Sequence, residues 1–162
     1  MKTQGSALIS TCGTWRYAVS RDLGAGPVLA AVLLNPSTAD AVQEDATLVR
    51  LMARARTGGF GRLVVANLFA LRATDPAALR RAADPVGPEN DAAILAAADG
   101  AAMVLCGWGN QGRLHGRGTA VEAMLRARGH LLWHLGLTRW GAPRHPLYVA
   151  AKIGPQPWGE GQ

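Results

Sequence analysis

Val28-Leu-Ala-Ala-Val-Leu-Leu-Asn-Pro-Ser-Thr-Ala-Asp40 is the stretch on which the fold turns. An unbroken apolar run from Val28 to Leu34 gives way at once to polarity at Asn35. Such a run predicts a short strand buried on both faces, as inside a parallel sheet. Pro36 lacks the amide hydrogen that a ladder needs, so the strand is expected to stop before it. Asn35, Ser37, Thr38 and Asp40 then stand just past the carboxyl end of a central strand, where open α/β sheets hold their ligands. The same residue types also favour turns and helix caps. Taken alone, the loop reads equally as a ligand site or as a turn leading into a helix.

Outward from this strand the chain alternates. Asp45 is positioned to cap a helix running to about Arg56, with Leu48, Leu51, Met52 and Ala55 on one face and Gly58-Gly59 as its stop. Arg50, Arg54 and Arg56 fall off the apolar stripe and are expected to be solvated. Arg62 to Asn67 reads as a second buried strand. Asp75-Pro76 opens a short helix as cap and first-turn proline. Asn90 is placed to cap a helix from Asp91 to about Asp99. Ala101 to Gly107 is a third buried strand, Thr119 to Arg128 a helix, and His130 to Gly136 a fourth strand. On the amino-terminal side, Thr14 to Ser20 alternates as a strand and is expected to form a hairpin with residues 28–34 at one side of the sheet. The tail, 154–162, reads as irregular. This order predicts an α/β fold: a three-layer α/β/α sandwich with a mainly parallel four-stranded core sheet plus the hairpin strand. The expectation is one domain over 1–162 with its core at about 14–150.

The 162 residues are 49% hydrophobic and 17% charged, the balance of a globular chain. No apolar run reaches membrane-spanning length and the N-terminus lacks a signal-peptide core, so a cytoplasmic protein without a membrane partner is expected. Cys12 and Cys106 are too few for a disulfide framework. Net charge is +6, and of the 17 basic residues all but Lys2 and Lys152 are arginine. That excess fits a nucleic acid or nucleotide partner, although an Ala-, Gly- and Arg-rich chain acquires it from coding bias as well.

Polar residues gather where the strands end. After the first come Asn35, Ser37 and Asp40; after the second, Asn67, Arg72, Thr74 and Asp75. After the third come Trp108, Asn110, Gln111 and Arg113; after the fourth, Thr138, Arg139, Arg144 and His145. In a parallel sheet these ends share one edge, so distant residues converge on one cleft. The entering loops are short and plain. No Ser-His-Asp order, dinucleotide fingerprint or phosphate-loop motif is present. Asp40, Asp45 and Asp75 are able to position a water or a magnesium ion, or to cap helices and support loops. His145 is either a donor to a developing anion or a histidine bonded to backbone to fix its loop; His134, inside a strand, reads as structural. Trp108 and Trp140 are placed to stack on a base or to cover the core. Arg72, Arg113, Arg139 and Arg144 fit phosphates or plain solvation.

These motifs resemble a bacterial domain-of-unknown-function family, number 1643. The resemblance rests on Leu34-Asn-Pro-Ser-Thr-Ala-Asp40 with Asp45, Thr47 and Arg50, and on Asn67-Leu-Phe-Ala-Leu-Arg-Ala-Thr-Asp-Pro76. Gly87-Pro-Glu-Asn-Asp91, Trp108-Gly109 and Gly141-Ala-Pro-Arg-His-Pro-Leu-Tyr148 complete it. More distantly, the chain resembles the uracil-DNA glycosylase superfamily, above all its mismatch-specific branch. Asn35-Pro36 is similar to that branch's Asn-Pro-Gly, with Ser37 in place of glycine. His145-Pro146 is similar to the late His-Pro-Ser, with Leu147 in place of serine. Val64 to Asn67 is similar to the strand whose asparagine reads the flipped base.

The resemblance implies a uracil-DNA glycosylase-like fold and a DNA glycosylase-like enzyme that cleaves an N-glycosidic bond. Asn35 and His145 would be its catalytic residues, for water and for the base anion. Pro36, Ser37, Asn67, Phe69 and Trp108 would surround the base, Arg72 and Arg144 would meet phosphates, and no cofactor or metal is required. Two alternatives stand beside it: a non-catalytic nucleic-acid or nucleotide-binding module on the same fold, and a metal-dependent hydrolase using Asp40, Asp45 and Asp75.

Overall fold

The computed structural model describes residues 4–37 and 39–160; Thr38, expected in the ligand loop, lies outside the described residues. The elements run β1 (Gly5–Ile9), β2 (Arg16–Asp22), β3 (Val28–Leu33), α1 (Ala46–Thr57), β4 (Arg62–Asn67) and α2 (Ala77–Arg81). They continue with α3 (Asn90–Asp99), β5 (Met103–Cys106), α4 (Arg117–Ala127), β6 (Leu132–His134) and β7 (Gln156–Trp158). All strands join one seven-stranded sheet in the order β1-β2-β4-β3-β5-β6-β7. Its centre is the expected set of four parallel strands, β4, β3, β5 and β6. Antiparallel strands flank them on both sides.

The hairpin between β2 and β3 does not form. Both edges of β3 are taken by parallel partners, β4 and β5. β2 pairs instead with β4, Val19 opposite Val65, and with β1. The chain must therefore cross the start of β4 on its way to β3, and glycines let it pass. A Cβ on Gly61 would lie 2.5 Å from the Gly24 carbonyl oxygen and 2.5 Å from the Gly26 nitrogen. The tail is not irregular throughout: residues 156–158 add β7 beside β6, and Trp158 is buried against Trp108.

Two apolar clusters hold the sheet, and alternate residues of β3 divide between them. Leu29, Ala31 and Leu33 pack with Leu48, Leu51, Met52 and Ala55 of α1. Ala30 and Val32 pack with Ile94, Ala97 and Ala98 of α3 and with Val121 and Leu125 of α4. Asp45 caps α1 as expected, its Oδ1 accepting the Leu48 N–H at 2.8 Å. Arg54 is not simply solvated; its guanidinium donates to the carbonyls of Ile153, Ala150 and Val149, fastening that segment to α1. Asp75 sits one residue further from its helix than expected, with Pro76 in the cap position and Asp75 Oδ1 accepting the Ala77 N–H. Asn90 is not a cap. It is the first helical residue, fully buried, and its amide donates to the carbonyls of Asn67 and Leu68 at 2.8 and 3.0 Å. No helix among the described residues is long and apolar enough to cross a membrane.

Candidate functional site at the carboxyl edge of the parallel strands

The loops leaving β3, β4 and β5 are tied together by backbone bonds. The Leu68 and Phe69 amides donate to the Leu33 and Leu34 carbonyls, and the Gly107 amide donates to Val32. Gly107 follows β5 without a side chain for a local reason. A Cβ there would stand 3.1 Å from Pro146 Cδ, 3.2 Å from the Arg144 oxygen and 3.2 Å from Leu33 Cδ2. The missing Cβ lets the Arg144-His145-Pro146 segment close over the ends of β3 and β5.

A cavity of about 40 Å³ forms beneath these loops, with Asn35, Ser37, Asp45, Asn67 and His145 in its walls. The convergence expected from strand ends is realised for Asn35, Ser37, Asn67 and His145. Three further polar residues line the cavity, the cap residue Asp45 with Arg16 and Thr47. Sequence reasoning passed over Arg16, which lies at the start of β2, 3% exposed. The available signal was an arginine set between Trp15 and Tyr17 in an alternating strand, a poor place for a solvated charge.

The chemistry of the lining is mixed. The Asn35 amide nitrogen donates to the Ala73 carbonyl at 2.8 Å and to the Pro36 carbonyl at 3.0 Å. Asn67 is 1% exposed, and its Nδ2 has no hydrogen-bond partner among the described residues. Arg16 donates to the Ala39 carbonyl at 2.5 Å, while its Nε has no partner among the described residues. Burial pushes the Arg16 guanidinium down to about 10, against the attraction of Asp45, so it stays charged at neutral pH. His145 is held below its ordinary 6.5 by burial, which outweighs the pull of Asp45. The Leu147 N–H donates to His145 Nδ1 at 3.2 Å, so the neutral ring carries its proton on Nε2. That bond fits the reading of His145 as a histidine bonded to backbone that fixes its loop.

Other sequence-selected residues lie elsewhere. Phe69 is fully buried in the core, and Trp108 packs on Trp158 with ring centroids 5.7 Å apart. Pro36 is buried beside the cavity without lining it. Arg72 is exposed, close enough to Arg16 and Asp40 to influence their charges. Arg144 is exposed, its Nε donating to the Leu137 carbonyl at 3.3 Å. The amides of Gln43 and Val42 bind Asp40 and hold its carboxyl below the usual range. With Asp45 and Asp75 also accepting backbone amides, all three aspartates serve as loop and cap supports. Among the described residues no group of three or more His, Cys, Asp or Glu stands together as a metal-ligand set. A larger cavity, about 470 Å³, lies between α1 and residues 150–155, and holds none of the sequence-selected site residues.

The family model described as "Protein of unknown function (DUF1643)" matches residues 16–147. No curated protein and no solved structure matches the chain.

Proposed function

The chain belongs to the DUF1643 family of proteins of unknown function, and we propose that it is a nucleobase-recognising, DNA glycosylase-like hydrolase on a three-layer α/β/α sandwich of uracil-DNA glycosylase type. The observation that carries this reading is the unpartnered Nδ2 of Asn67, buried in the wall of a polar cavity at the carboxyl edge of the parallel strands. A buried donor without a partner is costly, and a ligand acceptor would relieve it. In the proposed reaction a water oxygen bonds to the anomeric carbon of the sugar. The carbon–nitrogen bond breaks, its electron pair leaves on the base, and the proton given up by the water ends on that base. Asn35 suits the water: both bonds from its amide nitrogen go to backbone, which leaves Oδ1 as an acceptor. His145 suits the departing anion, with a neutral ring and its proton on Nε2. Asn67 reads the base edge, and Arg72 and Arg144 meet DNA phosphates.

A second reading is nucleotide or nucleic-acid binding without chemistry, and the cavity's size favours contact with a phosphate over enclosure of a base. About 40 Å³ holds a few waters, at about 10–15 Å³ for each. Pockets that enclose whole ligands run to about 300–1,000 Å³. A base is therefore larger than the cavity as it stands. An oligonucleotide panel separates the readings. Duplex and single strands carrying uracil, hypoxanthine, hydroxymethyluracil or mismatched thymine are incubated with protein and chelator, then treated with alkali. Strand breaks at one base, lost in His145→Ala and Asn35→Ala, are expected. Salt-sensitive binding with no breaks across the panel would refute the glycosylase reading and leave the binding module.

A further inference from the structure

We infer that the cavity binds a small oxyanion, a carboxylate or phosphate group bearing one negative charge. The inference rests on the cavity being the ligand site proposed above, and not on the bond-breaking chemistry. Two buried donors on its walls have no partner among the described residues: Nε of Arg16 and Nδ2 of Asn67, at 3% and 1% exposure. Arg16 is a buried cation with no carboxylate at ion-pair distance among the described residues; its guanidinium donates to the neutral Ala39 carbonyl. An isolated buried charge is unfavourable unless something of opposite sign approaches it.

The remaining geometry points the same way. The twelve-residue helix α1 begins at the cavity, with Thr47 and Leu48 of its first turn in the lining, so the positive end of its dipole faces the space. His145 adds an Nε2 proton. The lining contains one acidic residue, Asp45, whose Oδ1 is engaged by the Leu48 amide. Its charge offsets part of the Arg16 charge and sets the preference for a monoanion. A volume of about 40 Å³ suits such a group rather than a whole nucleotide.

The test uses the wild-type chain, ¹⁵N-labelled, titrated with sodium formate, sodium phosphate or sodium chloride at constant ionic strength. The readout is the side-chain N–H signals of Arg16 and Asn67. Saturable shifts of both, with formate or phosphate and not with chloride, are expected; which of the two acts distinguishes a carboxylate from a phosphate group. Asn67→Ala removes one donor and should weaken formate about tenfold. Should that variant not fold, the wild-type signals decide alone. Shifts that grow linearly, or equally with chloride, would overturn the proposal and leave water as the only occupant. A glycosylase panel without cleavage would leave this result untouched.

Discussion

Replacing Asn90 with alanine should loosen the floor of the site while leaving every cavity-lining residue in place. Its amide nitrogen donates to the Asn67 and Leu68 carbonyls, the turn where β4 ends and Asn67 is aimed. Two neutral hydrogen bonds contribute about 2 kcal/mol net. The loss is not shared evenly, because Leu68 keeps a second donor in Arg117 Nε at 2.8 Å. A partial offset comes from Asn90 Oδ1, which is buried without a partner among the described residues and disappears with the side chain. Adding the space left behind, the expected destabilisation is about 1.5–3 kcal/mol. That lowers the melting temperature by roughly 4–10 °C in a chain of this size. Asn90→Asp should be worse than alanine, since it sets carboxylate oxygens against the same two carbonyls. Urea denaturation of the three proteins measures this directly. A change below about 0.5 kcal/mol, the range of ordinary surface substitutions, or an aspartate better tolerated than alanine, would refute the reasoning.

Burial holds both His134 and His145 below 6.5. The unfolded chain then binds more protons, so stability is full above about 6.5 and is lost as pH falls through the folded values; His145→Gln should flatten that slope in denaturation curves taken from pH 7.5 down to 5. Gly107→Ala should cost about 1–3 kcal/mol by pressing on Pro146 and Leu33, and should move the His145 ring signals in NMR spectra; unchanged signals would mean that the loop is not seated there. Bonds from Ser10 and Thr14 lower the exposed Cys12 thiol to about 7, while burial raises Cys106 far above it. Iodoacetamide should therefore label Cys12 with a midpoint near pH 7 and leave Cys106 unlabelled until the chain unfolds, as read by mass spectrometry.

The parts of the fold legible in the sequence are those where burial acts on both faces. The apolar runs behind β3, β4 and β5 had one consistent placement, and α1 carried its stripe and its cap together. β1 escaped because it is an edge strand with alternate residues half-buried, and its Ala7-Leu8-Ile9 run does not alternate. The pairing of β2 depended on what β3 does with its other neighbours, a tertiary fact without a local trace. β7 is three residues long and contains Pro157, which argues against a strand except at an edge. At the candidate site, Asn35 and His145 were legible because each stands in a loop beyond a strand, and Asn67 because it ends one. Arg16 was not, since a strand arginine is ordinarily exposed, and the Ala39 carbonyl that accepts from it lies more than twenty residues away in the chain. Phe69 and Trp108 were drawn to the site by their loops, yet both turn into the core.

The central claim is that Asn35, Asn67 and His145 form one nucleobase-recognising site. The most direct measurement is a ¹H–¹⁵N NMR titration of the intact chain with a set of free nucleobases, followed by the same titration of Asn67→Ala. The account predicts saturable shifts for one base, centred on Asn35, Asn67 and His145 and weakened in the variant. Shifts centred instead on the cavity between α1 and residues 150–155, or none with any base, would contradict it.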